Sequence, residues 1–345
     1  MKKLLLYFAF AAIYYASSAQ SNSSDMPFLI KDLKSESFGK INAETTHGNI
    51  SVSIATGDPR IEVYIHSNHN DEKLTKEETQ KRLSENYTLE VSVSHNQLNA
   101  IAKQKNIFKD WRNALSISFV IYAPKSAATK LRTSHGNIDL SGMQGNQELT
   151  TSHGNIGIEN ITGKISGQTS HGNISVKDSK DEMDLSTSHG NIDATNSAGI
   201  VKLTTSSGNI ELKNLQGKTF ANTSHGNVAG NTIEGELSAT TSHGDVALDN
   251  LSCSVETSTS HGNIVLSMNK ITGKITADNS DGNISVQLPK GKGINLDLQG
   301  KRVSVESMEN FSGKKENETV KGTLNGGGEQ VTAKTSKGSV SITFK

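Results

Sequence analysis

The sequence predicts an all-β fold: a parallel β-solenoid, or β-helix, of 18-residue coils, with an N-terminal β-rich cap containing one short helix. Three observations carry this. First, Thr133-Ser134-His135-Gly136-Asn137-Ile138 recurs almost letter for letter, and its histidine position runs His135, His153, His171, His189, Ser207, His225, His243, His261 with no insertion or deletion. Coils stacked about 4.8 Å apart need equal perimeters, whereas a row of hairpins would tolerate loops of different length. Second, an Ile or Val follows three places after each histidine, and a further apolar residue often follows two places later, as in Ile138 and Leu140 or Ile174 and Val176. That is strand alternation with one apolar face. Third, only 33% of the 345 residues are hydrophobic and 5% aromatic, with 31 Gly and 4 Pro. Such a composition suits a thin core shared among many short strands.

Taken in order, residues 1–19 read as an export signal. Lys2 and Lys3 precede an apolar stretch from Leu4 to Tyr15, and small residues Ser17, Ser18 and Ala19 stand before a cut. The stretch is too short to span a bilayer. The mature chain is therefore expected to begin near Gln20, to lack a transmembrane segment, and to be periplasmic, secreted or at the cell surface. Residues 20–130 form the expected N-terminal cap. It holds one early unit, Thr46-His47-Gly48-Asn49-Ile50, and strands at Ile61 to His66, Tyr87 to Val93, Leu98 to Lys103 and Leu115 to Ala123. A charged stretch without Gly or Pro, Asp71 to Asn86, predicts a surface helix packed through Leu74 and Leu83. Lys103, Lys105, Lys109 and Arg112 beside Phe108 and Trp111 read as a solvated face next to packed aromatics. Residues 131–298 are the repeat array. Residues 299–345 are C-terminal coils and cap, with Gly326-Gly327-Gly328 ahead of a last alternating strand, Ser339 to Phe344.

Stacking gives the turn letters a purpose. Asn137, Asn155, Asn173, Asn191, Asn209, Asn227 and Asn263, with Asp245 as the one exception, are expected to pass amide hydrogen bonds from coil to coil. Thr133 and its copies would form a hydroxyl ladder, and the histidine rings would stack. Seven charged rings about 5 Å apart would repel by about 1 kcal/mol per pair in water and about 3 to 4 kcal/mol at an effective dielectric of 20. Stability is therefore expected to fall as pH drops below the usual histidine value near 6.5. The alternative use of the row is transition-metal binding. Against it, no Cys or recurring acid completes a site, Ser207 breaks the row, and Asp281 and Lys337 take its place later. No metal, cofactor or catalytic residue is expected.

The passage Ile117-Ser118-Phe119-Val120-Ile121-Tyr122-Ala123-Pro124, leading into Leu131-Arg132-Thr133-Ser134-His135-Gly136-Asn137-Ile138, resembles the strand, Pro, L-x-T-x-x-G-x-I signature of the DUF4097 family of adhesin-like proteins. The repeated T-x-x-G-x-I units are similar to that family too, as is Thr335-Ser336-Lys337-Gly338-Ser339-Val340 after the triple glycine. The resemblance implies a β-strand repeat protein of the bacterial cell envelope, with relatives in envelope-stress and sigma-factor operons, and it brings no catalytic residues. An envelope-stress accessory protein is the second role it leaves open. With 35 basic and 35 acidic residues, charge does not point to nucleic acid. Asp139, Glu159, Asp193, Glu211 and Asp249 fall singly on different coils, without the paired carboxylates a glycosidase needs. The sequence reading is thus a non-enzymatic, exported surface whose partner is an envelope protein or glycan.

Overall fold

The structure, a computed structural model, describes residues 26–68, 74–105 and 114–345. The expected export signal, residues 71–73 of the expected helix, and Phe108, Lys109, Trp111 and Arg112 lie outside the described residues. Among the described residues no helix is long and apolar enough to cross a membrane.

The repeat winds as predicted into a parallel solenoid, each coil giving two strands. Ile138, Ile156, Ile174, Ile192 and Ile210 pair one above another at an eighteen-residue offset, and Val228, Val246 and Ile264 continue the column. All eight are buried. On the facing wall Leu131, Leu149, Gly167, Leu185 and Leu203 form the matching column. The core between these walls is one side chain deep from each, which is why a third of the residues suffices to fill it. Each fully buried Ile or Leu contributes on the order of 1.5–3 kcal/mol, so stability accumulates coil by coil.

The corners between strands carry a regularity that the sequence reading passed over. Gly142, Asn160, Asp178, Asn196, Asn214, Thr232 and Asn250, one per coil, all adopt the left-handed conformation. Asn and Asp tolerate it; a β-branched residue does not. Thr232, at φ 59°, is the misfit. Its neighbours Asn214 and Asn250 each donate an amide hydrogen bond one coil back, to Asn196 Oδ1 and Thr232 Oγ1, both at 2.9 Å. Thr232→Asn should therefore raise stability by about 1 kcal/mol, read as a higher melting temperature.

At both ends the order of stacking departs from the order of the chain. The strand Lys40–Glu44 pairs with Ala128–Arg132 on one side and Gln97–Gln104 on the other. Ile50–Ile54 likewise lies between Ile138–Ser141 and Leu115–Ala123. Beyond this outermost coil the direction reverses. Tyr87–Ser94 and Arg60–Ser67 pair antiparallel with its two strands, and Leu29–Asp32 pairs antiparallel with the second. The opposite end repeats the device. Glu329–Thr335 and Ser339–Phe344 slip between the coil of Ile275–Asn279 and Ile284–Leu288 and that of Ile294–Gln299 and Arg302–Val305. Thr319–Leu324 then closes the edge antiparallel, followed by Phe311–Lys315. An antiparallel outer strand offers the wrong hydrogen-bond pattern for another parallel coil, so each end resists further stacking.

Among the described residues the one helix runs Lys76–Asn86 and starts at a capping box in which Thr75 and Glu78 bond reciprocally. Leu83 is buried and Leu74 packs against the core. Lys103 pairs with Glu44 at 3.4 Å, and Lys105 Nζ donates to the Ser84 carbonyl. Cys253 is buried, which pushes its thiol up to about 12 and leaves it inert at neutral pH.

Candidate functional site

The Thr-Ser-His-Gly-Asn turn forms one corner of every coil, and its residues build a ridge along the solenoid. The rings of His135, His153, His171 and His189 lie face to face with centroids 4.7, 4.8 and 5.0 Å apart and planes within 5°. His225, His243 and His261 repeat this at 4.9 Å beyond the gap at Ser207. The row also gains a member that sequence reasoning left isolated. His47 stacks on His135 at 4.7 Å, because its coil sits directly beneath although 88 residues earlier in the chain. The signal was present in the identical turn letters of residues 46–50; the stacking order was missing. At the far end His261 Nε2 stands 3.6 Å from Asp281 Oδ2, and Lys337 Nζ 3.0 Å from Asp281 Oδ1. The row therefore closes as imidazole, carboxylate, ammonium.

The asparagines connect differently from a side-chain amide relay. Each Oδ1 accepts from the backbone N–H of the next coil's equivalent residue: Asn137 from Asn155, Asn155 from Asn173, Asn173 from Asn191, and onward through Asn191 and Asn209 at 2.8–2.9 Å. Only an oxygen is needed, which accounts for Asp245: its backbone N–H bonds Asn227, and its carboxylate accepts from the Asn263 N–H at 2.7 Å. Asn173→Asp should accordingly change stability by less than about 0.5 kcal/mol, while Asn173→Leu should cost about 1 kcal/mol in denaturant melts.

The threonines likewise bond backbone rather than one another. Thr187 Oγ1 donates to the Gly172 carbonyl one coil away at 2.9 Å and accepts from its own coil's Gly190 N–H at 3.3 Å. Asn279 does both tasks with its amide, donating to the Gly262 carbonyl and accepting from the Gly282 N–H. The glycine after each histidine lies flat against the same glycine of the preceding coil. A methyl at Gly172 would overlap the Gly154 carbonyl oxygen.

The acids are not all apart. Asp193 and Glu211 stand opposite each other on adjacent strands, because an eighteen-residue separation is one coil. Burial raises the Asp193 carboxyl above its usual value, and the neighbouring Glu211 raises it further. The pair lies on an outward sheet face beside Lys213, which bonds Glu211. Elsewhere, a groove of about 670 Å³ is lined by Lys40, Gln97, Lys130, Gln147 and Lys164. Two of its lysines are already paired, Lys130 with Glu148 and Lys164 with Glu182.

The ridge is a poor metal cage. Two imidazole nitrogens on one zinc stand about 2.0–2.1 Å from it, closer than parallel rings repeating at 4.7–5.0 Å allow. No cluster of three or more His, Cys, Asp or Glu placed to hold a metal occurs among the described residues. The ridge is instead sensitive to acid at one end. Burial lowers the proton affinity of His47 below the usual value, and the adjacent His135 adds to this; His47 Nδ1 is buried without a hydrogen-bond partner. The fold prefers His47 neutral, so its contribution is whole above the unfolded value of about 6.5 and is lost as pH falls through the lower folded value. His47→Ser should shrink the drop in melting temperature between about pH 7.5 and 4.5 relative to the natural protein.

The Toastrack DUF4097 family model matches residues 177–343. No curated protein matches the chain. Three solved structures match along most of the chain. A "putative cell adhesion protein" from Clostridium sporogenes ATCC 15579 shares 12% identity over 92% of this chain and 98% of its own, with TM-score 0.19. A "putative adhesin" from Bacteroides fragilis NCTC 9343 shares 14% over 92% and 96%, with TM-score 0.25. A "putative lipid binding protein" from Parabacteroides distasonis ATCC 8503 shares 15% over 91% and 96%, with TM-score 0.30. Superpositions this loose carry no argument about function.

Proposed function

We propose, from the match of residues 177–343 to the Toastrack DUF4097 family model, that the chain is an exported, non-enzymatic binding module, adhesin-like in role. Its array over 131–298 is held between capping regions at 20–130 and 299–345. One observation carries the reading: the same exposed side chains recur at one spacing along a single edge, His135 to His189 at 4.7–5.0 Å, with the Asn column beside them. Such an edge is already rigid, so an extended partner meets it without an ordering cost on the protein side. The Asp193 and Glu211 pair stands on an open face, which does not exclude water from a reaction. The test is an array of envelope glycans and envelope fractions probed with the natural protein and with a variant carrying His153→Ser, His171→Ser and His189→Ser. Ser207 already occupies this position in the natural row, so the variant should fold. Specific retention that the variant loses supports the module. Retention by neither protein, or equally by both, overturns it.

A further inference from the structure

We propose that a hollow beside Phe220, on the outer face of the wall that leads into the ridge, binds one neutral hexose ring. The inference goes beyond the binding-module reading, because it concerns a different place on the coil. It starts from a side chain the fold does not ask for. On successive coils one outward position reads Ser166, Asp184, Lys202, Phe220, Ser238, Glu256, so a phenyl ring stands 43% exposed among polar neighbours. A single exposed aromatic is ordinary. The surroundings of this one are not.

Beyond Phe220 the strands carry short side chains, Ser238 in its own column and Ser254 in the next, set among the longer Phe220, Glu256 and Lys274. The result is a hollow of about 200 Å³, smaller than pockets that hold drug-sized ligands and about the size of one six-membered ring. Thr276 also lines it. That residue is 9% exposed, and its hydroxyl is buried without a hydrogen-bond partner, a state native folds seldom leave unexplained. Charges on this face otherwise join across one coil, as Lys164 does with Glu182 and Lys218 with Glu236. Glu256 and Lys274 lie on adjoining strands, yet among the described residues no ion pair joins them. A carboxylate, an ammonium and three hydroxyls are thus gathered around one small space beside an aromatic ring.

Those groups select the ligand class. Glu256 and Lys274 cancel in charge and Glu236 is taken by Lys218, so the hollow favours neither an anion nor a cation. A bound peptide draws affinity from main-chain hydrogen bonds at a free strand edge. None is free here, since Ile210–Asn222, Val228–Thr240, Val246–Thr259 and Ile275–Asn279 are each paired on both sides. What fits is a small neutral molecule with an apolar face for Phe220 and hydroxyls around its rim, which describes a hexose. Glu256 accepts from its hydroxyls, Lys274 donates to them, and the serines do either.

The experiment is saturation-transfer NMR of the purified protein at neutral pH with the methyl glycosides of glucose, galactose and mannose, and with glucuronate and glucosamine as charged companions. Expected is binding of at least one methyl glycoside with a dissociation constant on the order of 1 mM, as suits one ring with few contacts. Phe220→Ala and Glu256→Gln, both at exposed positions, should melt like the natural protein and bind roughly tenfold more weakly, the size of one aromatic or charge-assisted contact. Silence from all three glycosides at about 10 mM overturns the inference. Unchanged binding by Phe220→Ala overturns it too, as does glucuronate or glucosamine bound as tightly as the best neutral sugar. Loss of an envelope protein from Phe220→Ala while every glycoside stays silent would make the partner a protein and overturn the sugar. Binding this weak does not survive washing on an array, so the ridge is tested separately. The variant carrying His153→Ser, His171→Ser and His189→Ser should bind the glycoside normally, and its failure to do so would place the sugar on the ridge and overturn the hollow.

Discussion

Gly172→Ala is expected to destroy the array rather than weaken it. A Cβ at this position meets the carbonyl oxygen, the carbonyl carbon and the following backbone nitrogen of the coil beneath, all of them main-chain atoms. Nothing flexible can yield. The coil must lift away, and with it go the Thr187 bond to the Gly172 carbonyl and the Asn173 N–H bond to Asn155. The loss should exceed about 4 kcal/mol, beyond the range of ordinary single substitutions, and should appear as failure to yield a cooperative melt. Gly57→Ala is the control, since nothing lies within 4 Å of its added methyl; it should melt like the natural protein. A folded Gly172→Ala protein of normal stability would mean the coils are not stacked this closely.

Deleting Asn214 and Leu215 is the second large effect. Leu215 is fully buried opposite Ile233, and Asn214 makes the left-handed corner. Removing both shortens one perimeter, so every ladder on one side of the cut falls out of register with the other. Cooperative unfolding should follow, measured as loss of the far-ultraviolet β signal in a single transition. The same deletion at Lys76 and Glu77, in the surface helix, should cost far less. The protein itself shows what is tolerated. Between His261 and Asp281 the interval grows to twenty, and the added residues leave the wall between Met268, which pairs with Leu251, and Ile275, which pairs with Val255. Equal damage at the two deletion sites would argue against stacked coils.

The coil period was legible because stacking forces it into the covalent chain: one slipped residue would turn Ile174 outward. The helix was legible from charge and the absence of Gly and Pro, although its start moved to Thr75, where the capping box forms. Less legible was what the turn letters bond to. Asn and Thr suggest partners of their own kind, yet Asn173 and Thr187 engage main chain, and a backbone N–H or carbonyl has no letter. Asp193 and Glu211 looked scattered for a related reason, since eighteen positions apart in the chain is adjacent in the sheet. The ends were hidden most deeply. Nothing local in Thr46 to Ile50 says that its upper neighbour is His135 and its lower one the strand Leu115–Ala123.

That interleaving has a mechanical meaning. If the last coil in the chain were also the last in the stack, tension on Phe344 would peel it away one hydrogen bond at a time, as a zipper opens. Instead Ser339–Phe344 is gripped on one flank by Ile284–Leu288 and on the other by Arg302–Val305, and Lys345 Nζ is tied to Ser267 Oγ at 2.8 Å. A load entering here must rupture both flanks together or drag the neighbouring coils along. Resistance to such a load is then set by the stack rather than by its edge.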